Sequence, residues 1–265
     1  MQPTLTIAMR AARAAGRILL RYFERVDQIQ VQAKNRNDFV TEVDKAAEEA
    51  IIQELRSKYP DHAFLAEESG ARGTSDLEWV IDPLDGTTNY LHGFPQFSIS
   101  IALRYRGRLE CGLVYDPLHE EMFTAERGGG ALLNDRRIRV ANRTSLEGAL
   151  IGTGFPFRDQ RHLDVYLTMF RTLLLNAAGL RRPGSAALDL AYVACGRTDG
   201  FWELGLSEWD MAAGSLLVTE AGGTVTDLAG GDRFFQTGNV IGGNLKLHRA
   251  LLQALHPHLN ESLKA

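Results

Sequence analysis

Apolar positions near the start of the chain, Leu5, Ala8/Met9, Ala12, Ala15/Gly16, Leu19 and Tyr22/Phe23, recur at three-to-four spacing, with arginines at 10, 13, 17 and 21 largely opposite. That period predicts an amphipathic helix. A β-like run over 28–32 leads into a polar, turn-forming stretch, Lys34 to Asp38. From Thr41 to Lys58 the helical period returns through Val43, Ala46/Ala47, Ala50/Ile51 and Leu55, and Tyr59-Pro60 ends it.

Two short apolar runs of strand length follow, Ala63 to Ala66 and Trp79 to Ile81, and each stops at acid: Glu67-Glu68 and Asp82. Phe97, Ile99, Ile101 and Leu103 then alternate with smaller or polar residues, and Leu109, Cys111, Leu113 and Tyr115 repeat the period of two after Arg106-Gly107-Arg108. This predicts an antiparallel hairpin, with Glu121 to Ala125 as a third strand.

Past Asn142-Arg143-Thr144-Ser145 the pattern changes to strands alternating with helices: 149–153, 163–176, 186–195, 200–204, 210–221, 224–227, 240–243 and a closing helix from Leu245. Such alternation suggests an α/β layer. The expected organisation is an α+β half over 1–145 and an α/β half over 146–265.

Composition narrows the function classes. Of 265 residues 45% are hydrophobic and 23% charged, which supports a sizeable core and argues against disorder. Lys+Arg 29 against Asp+Glu 33 leaves a net charge of −4, so no global positive field draws the chain to nucleic acid or acidic membrane. Cys111 and Cys195 stand in no metal-ligand spacing and are expected as buried thiols. Neither a signal peptide nor a membrane span is legible, and a cytoplasmic protein is expected.

The segment with most chemistry is Asp82-Pro83-Leu84-Asp85-Gly86-Thr87-Thr88-Asn89. Two carboxylates three residues apart follow an apolar strand and run into a glycine and two threonines. Asp85 suits an N-cap, so that the Gly86 and Thr87 N–H groups open a helix and face an anion. Hard oxygen donors beside such a turn suit Mg²⁺ and phosphate, not zinc.

This octapeptide resembles the metal-binding signature of the inositol monophosphatase family, the Mg²⁺-dependent, lithium-sensitive sugar phosphatases. Glu208-Trp209-Asp210-Met211-Ala212-Ala213-Gly214 is similar to the family's second motif, and Leu65-Ala66-Glu67-Glu68-Ser69 matches its acidic pair, in the same order along the chain. Asn37 to Asp44 and Gly184 to Tyr192 bring the chain closest to a bacterial branch. The resemblance implies a layered αβαβα sugar-phosphatase fold, usually a homodimer.

It also implies roles. Glu67, Asp82 and the Leu84 carbonyl would hold one Mg²⁺, and Asp82, Asp85 and Asp210 a second, with a third near Glu67 under the loop bearing Lys34. Asp44 and Thr87 match the pair that polarises the attacking water, and with Glu67 form the catalytic group. Asp85, Gly86, Thr87 and Asp210 would border the phosphate, Gly184, Ser185 and Ala186 the ring, and Glu203 its hydroxyls. Pro183 departs from the pattern and removes an N–H beside that loop.

Each residue has a plainer alternative. Asp44 could lie on a solvated helix face, Glu203 on an exposed strand, and Asp210 could simply cap a helix. The seven histidines show no ligand spacing and are expected as structural or surface groups, and Arg136-Arg137-Ile138-Arg139 and Arg181-Arg182 as solvated rims. The resemblance implies hydrolysis of myo-inositol monophosphate and related polyol or sugar monophosphates. A partner role is implied for the bacterial branch, contact with RNA polymerase or transcription factors in antitermination. A third alternative is a bisphosphate substrate.

Overall fold

The computed structural model describes residues 3–23, 25, 31–35, 38–156 and 160–264. Helix α1 (Pro3–Phe23) follows the arginine-interrupted period and buries Leu5, Ala8, Ala12, Ala15 and Leu19. Strands β1 (Val31–Asn35) and β2 (Asp38–Thr41) then form a hairpin, so Lys34 and Asn35, expected in a turn, lie in a strand. Residues 28–30 of the expected β-like run lie outside the described residues, as does the side chain of Lys34.

Helix α2 (Glu42–Arg56) starts where a capping box forms. The Thr41 hydroxyl accepts from the Val43 and Asp44 N–H groups at 3.1 and 3.3 Å, while the Asp44 carboxylate accepts from the Thr41 N–H at 2.9 Å. Three of the orphan donors at the helix start are thereby satisfied.

The first sheet contains β3 (Ala63–Ala66), β4 (Gly70–Arg72) and β5 (Leu77–Asp85). After the short helix α3 (Thr87–Leu91) come β6 (Ser98–Tyr105), β7 (Arg108–Asp116), β8 (Glu121–Glu126), β9 (Gly130–Leu133) and β10 (Arg136–Arg137). Its order is β10-β9-β8-β7-β6-β5-β3-β4, antiparallel except where β3 runs parallel to β5. Helices α1 and α2 cover one face through Leu5, Ala12, Leu19, Ile51 and Leu55, packed on Trp79, Ile81, Ile101 and Leu113.

Two expectations are corrected here. The strand expected to stop at Ile81 continues through Pro83 to Asp85. Its pairing with β3 has ended at Ala66↔Ile81 and its pairing with β6 slips between Asp82 and Asp85, so the missing proline N–H breaks no ladder. The N-cap of α3 is Gly86, not Asp85. Gly86 has φ +98°, and an added Cβ would lie 2.9 Å from the Gln96 carbonyl, so both backbone and space call for glycine.

The second sheet is built from β11 (Leu150–Thr153), β12 (Gly179–Arg181), β13 (Gly200–Glu203), β14 (Thr224–Thr226) and β15 (Val240–Gly243). Its order is β12-β11-β13-β15-β14, with β11 parallel to both neighbours and β15 antiparallel to both of its own. The helices of this half are α4 (Leu163–Asn176), α5 (Ala186–Ala194), α6 (Glu208–Glu220), α7 (Phe234–Thr237), α8 (Leu245–Leu255) and α9 (Glu261–Lys264).

Helices α5 and α6 fill the space between the sheets. Leu190, Met211 and Leu217 pack with Val80, Val114 and Phe123 of the first sheet and Phe201 and Val240 of the second. A Cβ on Gly214 would lie 2.6 Å from the Leu190 Cβ, so glycine lets the two helices touch. Helices α4 and α8 close the outer face through Tyr166, Met169, Leu247 and Leu251. The layers therefore read αβαβα. Residue 145 falls between the sheets, and the middle core is shared by both halves. Cys111 is buried and Cys195 half-buried, both as free thiols. No helix among the described residues is long and apolar enough to cross a membrane.

Candidate active site

Three elements end at one point. The slipped end of β5 carries Asp82 and Asp85, the turn after β3 carries Glu67, and the first turn of α6 carries Asp210. Asp82, Asp85 and Asp210 each offer a carboxylate oxygen within 4.8 Å of the others. Glu67 joins them through a side-chain hydrogen bond with Asp82. The Leu84 N–H donates to Asp82 Oδ1 at 2.9 Å.

Each carboxylate is oriented by something else. Asp85 Oδ2 accepts from the Ser185 hydroxyl at 2.6 Å and the Ala187 N–H at 2.8 Å, at the start of α5. Asp210 Oδ2 accepts from the Ser207 N–H at 2.7 Å, so it also caps α6. Arg104 ties that helix start to the first sheet by pairing with Glu208 and with Glu78, and the Ser100 hydroxyl donates to the Trp209 carbonyl at 3.1 Å.

Concentrating acid in a buried place has an electrostatic cost. Burial, then the charges of Glu67, Asp85 and Asp210, push the Asp82 carboxyl well above the usual range. Burial and the Asp210 charge push Asp85 up to about 7, against the opposing pull of the Ser185 and backbone donors. The raised carboxyls of Asp82 and Asp85 mark the repulsion within the cluster, and a divalent cation on the same oxygens would relieve it. The donor set is all carboxylate and carbonyl oxygen, the set Mg²⁺ takes, so the residues fit the ion the sequence pointed to.

Beside this cluster the Thr87 hydroxyl lies 3.3 Å from Asp44 Oδ1 and 3.1 Å from the Leu84 carbonyl oxygen. Asp44 is fully buried, not on a solvated face. Above it opens a cavity of about 600 Å³, lined by Glu67, Leu84, Asp85, Gly86, Thr87, Gly184, Ala186, Glu203 and Asp210 among others. Asp44, Asp82 and Ser185 lie beneath the lining and reach it through Thr87, Glu67 and Asp85. Ser185 is fully buried, its hydroxyl also 3.2 Å from that of Ser98. Glu203, at the end of β13, occupies the space left by Gly154, where an added Cβ would come within 1.9 Å of its Oε1.

Sequence reasoning missed several lining groups. His162 faces the cavity, as do Arg161, Arg182 and Phe155. The Arg182 guanidinium stacks 5.0 Å above the Phe155 ring. Asn89 clamps the ring-side loop: its amide donates to the carbonyls of Gln96 and Pro183 at 2.8 Å and of Gly184 at 3.3 Å. Its membership of the octapeptide was the only available signal, because the Pro183 and Gly184 acceptors lie 94 and 95 positions away.

Comparison with known proteins finds relatives along nearly the whole chain. The model of the inositol monophosphatase family matches residues 1–263. A relative from Pseudomonas aeruginosa named "Nus factor SuhB" is 58% identical over the full length of both chains. The crystal structure of the extragenic suppressor protein suhB from Bartonella henselae superposes with a TM-score of 0.93 at 47% identity, covering 96% of this chain and 98% of that one. An inositol monophosphatase from Anabaena superposes with a TM-score of 0.85 at 40% identity, covering 96% and 95%.

Proposed function

The chain belongs to the inositol monophosphatase family, and on that premise we propose that it hydrolyses myo-inositol monophosphate and related polyol or sugar monophosphates with Mg²⁺. The observation that carries this reading is the convergence of Asp82, Asp85 and Asp210 oxygens within 4.8 Å of one another, beside a hydroxyl paired with a buried carboxylate.

In this reading Glu67, Asp82 and the Leu84 carbonyl would hold one Mg²⁺, Asp82, Asp85 and Asp210 would hold a second, and Glu67 would border a weaker third. Bound there, Mg²⁺ supplies Lewis acidity toward the phosphoryl oxygens and makes water a better nucleophile. The remaining work is the chain's own. Thr87 Oγ1 accepts a hydrogen bond from the attacking water and donates its own proton toward Asp44, so the lone pair is turned to phosphorus. The Gly86 and Thr87 N–H groups border the phosphate. Glu203 accepts from ring hydroxyls and disfavours a second phosphate at the same position by like charge, and Gly184 and Ala186 line the ring. Phosphate release across a panel of monophosphates and bisphosphates, with and without lithium, tests the assignment: monophosphates of polyols should lead, with uncompetitive lithium inhibition. A preference for fructose 1,6-bisphosphate or adenosine 3′,5′-bisphosphate would overturn it.

A second reading is favoured by the names of the relatives. Several at 47–58% identity over nearly the whole chain are called Nus factors, which supports a role bound to the transcription machinery. Both roles are cytoplasmic, and a homodimer serves either; sedimentation of the purified protein tests the dimer. Asp82→Asn protein separates the two roles. Recovery of RNA polymerase with this inactive variant would make the partner role independent of the site, and loss of recovery would tie the two together.

A further inference from the structure

Helix α2 carries two buried acidic side chains one turn apart. Asp44 meets Thr87, as described. Glu48, four residues on and only 3% exposed, turns its Oε2 to the Glu68 N–H, which donates to it at 2.8 Å. The N–H just before, that of Glu67, donates to the Ile81 carbonyl at 3.1 Å, next to Asp82. The Glu67-Glu68 turn is therefore fastened on one side to β5 and on the other to α2. No step of the proposed reaction uses Glu48.

We infer that Glu48 is a positioning residue, which fastens the Glu67-Glu68 turn to α2 and so holds the Glu67 carboxylate against Asp82 ready for a divalent cation. The physical need is plain. The Glu67 carboxylate meets Asp82, and where it sits relative to an ion depends on where the turn that carries it is held. A turn with a free N–H would let it go, and each arriving ion would have to draw it back. Fastening the turn removes that ordering cost before binding. Residues four apart share one helix face, so α2 also sets the spacing between the Thr87-Asp44 pair and the metal turn. Glu48 is a carboxylate acceptor with no ligand role of its own: what the turn needs is an oxygen at that reach, and an amide oxygen supplies it equally.

The inference rests on the Mg²⁺ reading of the site, and its test separates the two. Mg²⁺ binding to the full chain is measured by titration calorimetry, with circular dichroism to confirm folding. Glu48→Ala should weaken Mg²⁺ binding by about 10- to 100-fold, while Glu48→Gln should stay within about threefold of the parent, because the acceptor is kept. Glu48→Asp keeps the charge but withdraws it by one methylene, and should fall with Glu48→Ala; it carries the test if Glu48→Ala fails to fold. At saturating Mg²⁺ the folded variants should recover kcat near that of the parent. Parent-like Mg²⁺ binding in the alanine and aspartate variants, or a glutamine variant as weak as alanine, would overturn the inference alone. A parent protein that takes up no Mg²⁺ would overturn the phosphatase reading and this inference together.

Discussion

The Ser185 hydroxyl donates to Asp85 Oδ2 across 2.6 Å, joining residues 100 positions apart. The Ala187 N–H reaches the same oxygen at 2.8 Å, so one carboxylate both faces the cavity and docks the N-terminus of α5 on the end of β5. A carboxylate at a helix start is favoured by the unpaired N–H groups and the dipole there. Assembly of the site and packing of the second half against the first are thus one event at this residue.

That residue sets a pH signature. Burial and the Asp210 charge raise the Asp85 carboxyl from 3.8 to about 7. Between those values the folded, ion-free protein holds a proton that the unfolded chain has released. Stability therefore falls as pH rises through this window. Asp82 is shifted in the same direction. Ion-free protein should melt at progressively lower temperature from about pH 4 to above pH 7, and the gain from added Mg²⁺ should grow with pH. Melting curves in chelator and in Mg²⁺ check this; an equal Mg²⁺ gain at pH 5 and pH 8 would count against it.

Thr87 tests the water-orienting pair. Thr87→Ala removes the hydroxyl that lies 3.3 Å from Asp44, and kcat should fall by about 100-fold or more. Thr87→Ser keeps the hydroxyl and should stay within about tenfold of the parent. KM and Mg²⁺ dependence should move little in either. Unchanged kcat in the alanine variant would remove the pair from the reaction.

Gly154 tests the ring side. Its Cβ would come within 1.9 Å of Glu203 Oε1, so Gly154→Ala must displace that carboxylate. KM for a polyol monophosphate should rise by roughly tenfold or more, with Mg²⁺ half-saturation unchanged. An aryl phosphate has no hydroxyls for Glu203 to accept from, and should be hydrolysed as before. Equal losses on both substrates would mean that Glu203 does not read hydroxyls.

Much of the fold was legible because period is a local property. The stripe over Leu163 to Asn176 marks α4 at both ends, and alternation marks β6 and β7. Pro83 misled, since its cost depends on whether a neighbouring strand needs its N–H, and that depends on where β3 stops. The clustered carboxylates Asp82, Asp85 and Asp210 were legible through their motifs. Their supports were not: Ser185 behind Asp85, Asn89 on the Pro183-Gly184 carbonyls and Glu48 on the Glu68 N–H all join segments far apart in the chain, and nothing local marks such bonds. His162 was missed for a related reason. It reaches the cavity by packing, on a segment whose own sequence shows no ligand spacing.

The central claim is that Asp82, Asp85, Asp210 and Glu67 gather Mg²⁺ for phosphate transfer to water. Asp210→Asn is the cleanest probe, because its amide oxygen can still accept from the Ser207 N–H that now lies 2.7 Å from Asp210 Oδ2, so the start of α6 keeps its cap while the site loses one negative ligand. The deciding measurement is phosphate release from myo-inositol 1-phosphate against Mg²⁺ concentration, in parent and variant side by side. Saturable, Mg²⁺-dependent release in the parent, reduced by about 1,000-fold or more in a folded variant, as loss of several kcal/mol of charge stabilisation requires, is the expected result. Release that ignores Mg²⁺, or that survives the substitution, would contradict the account.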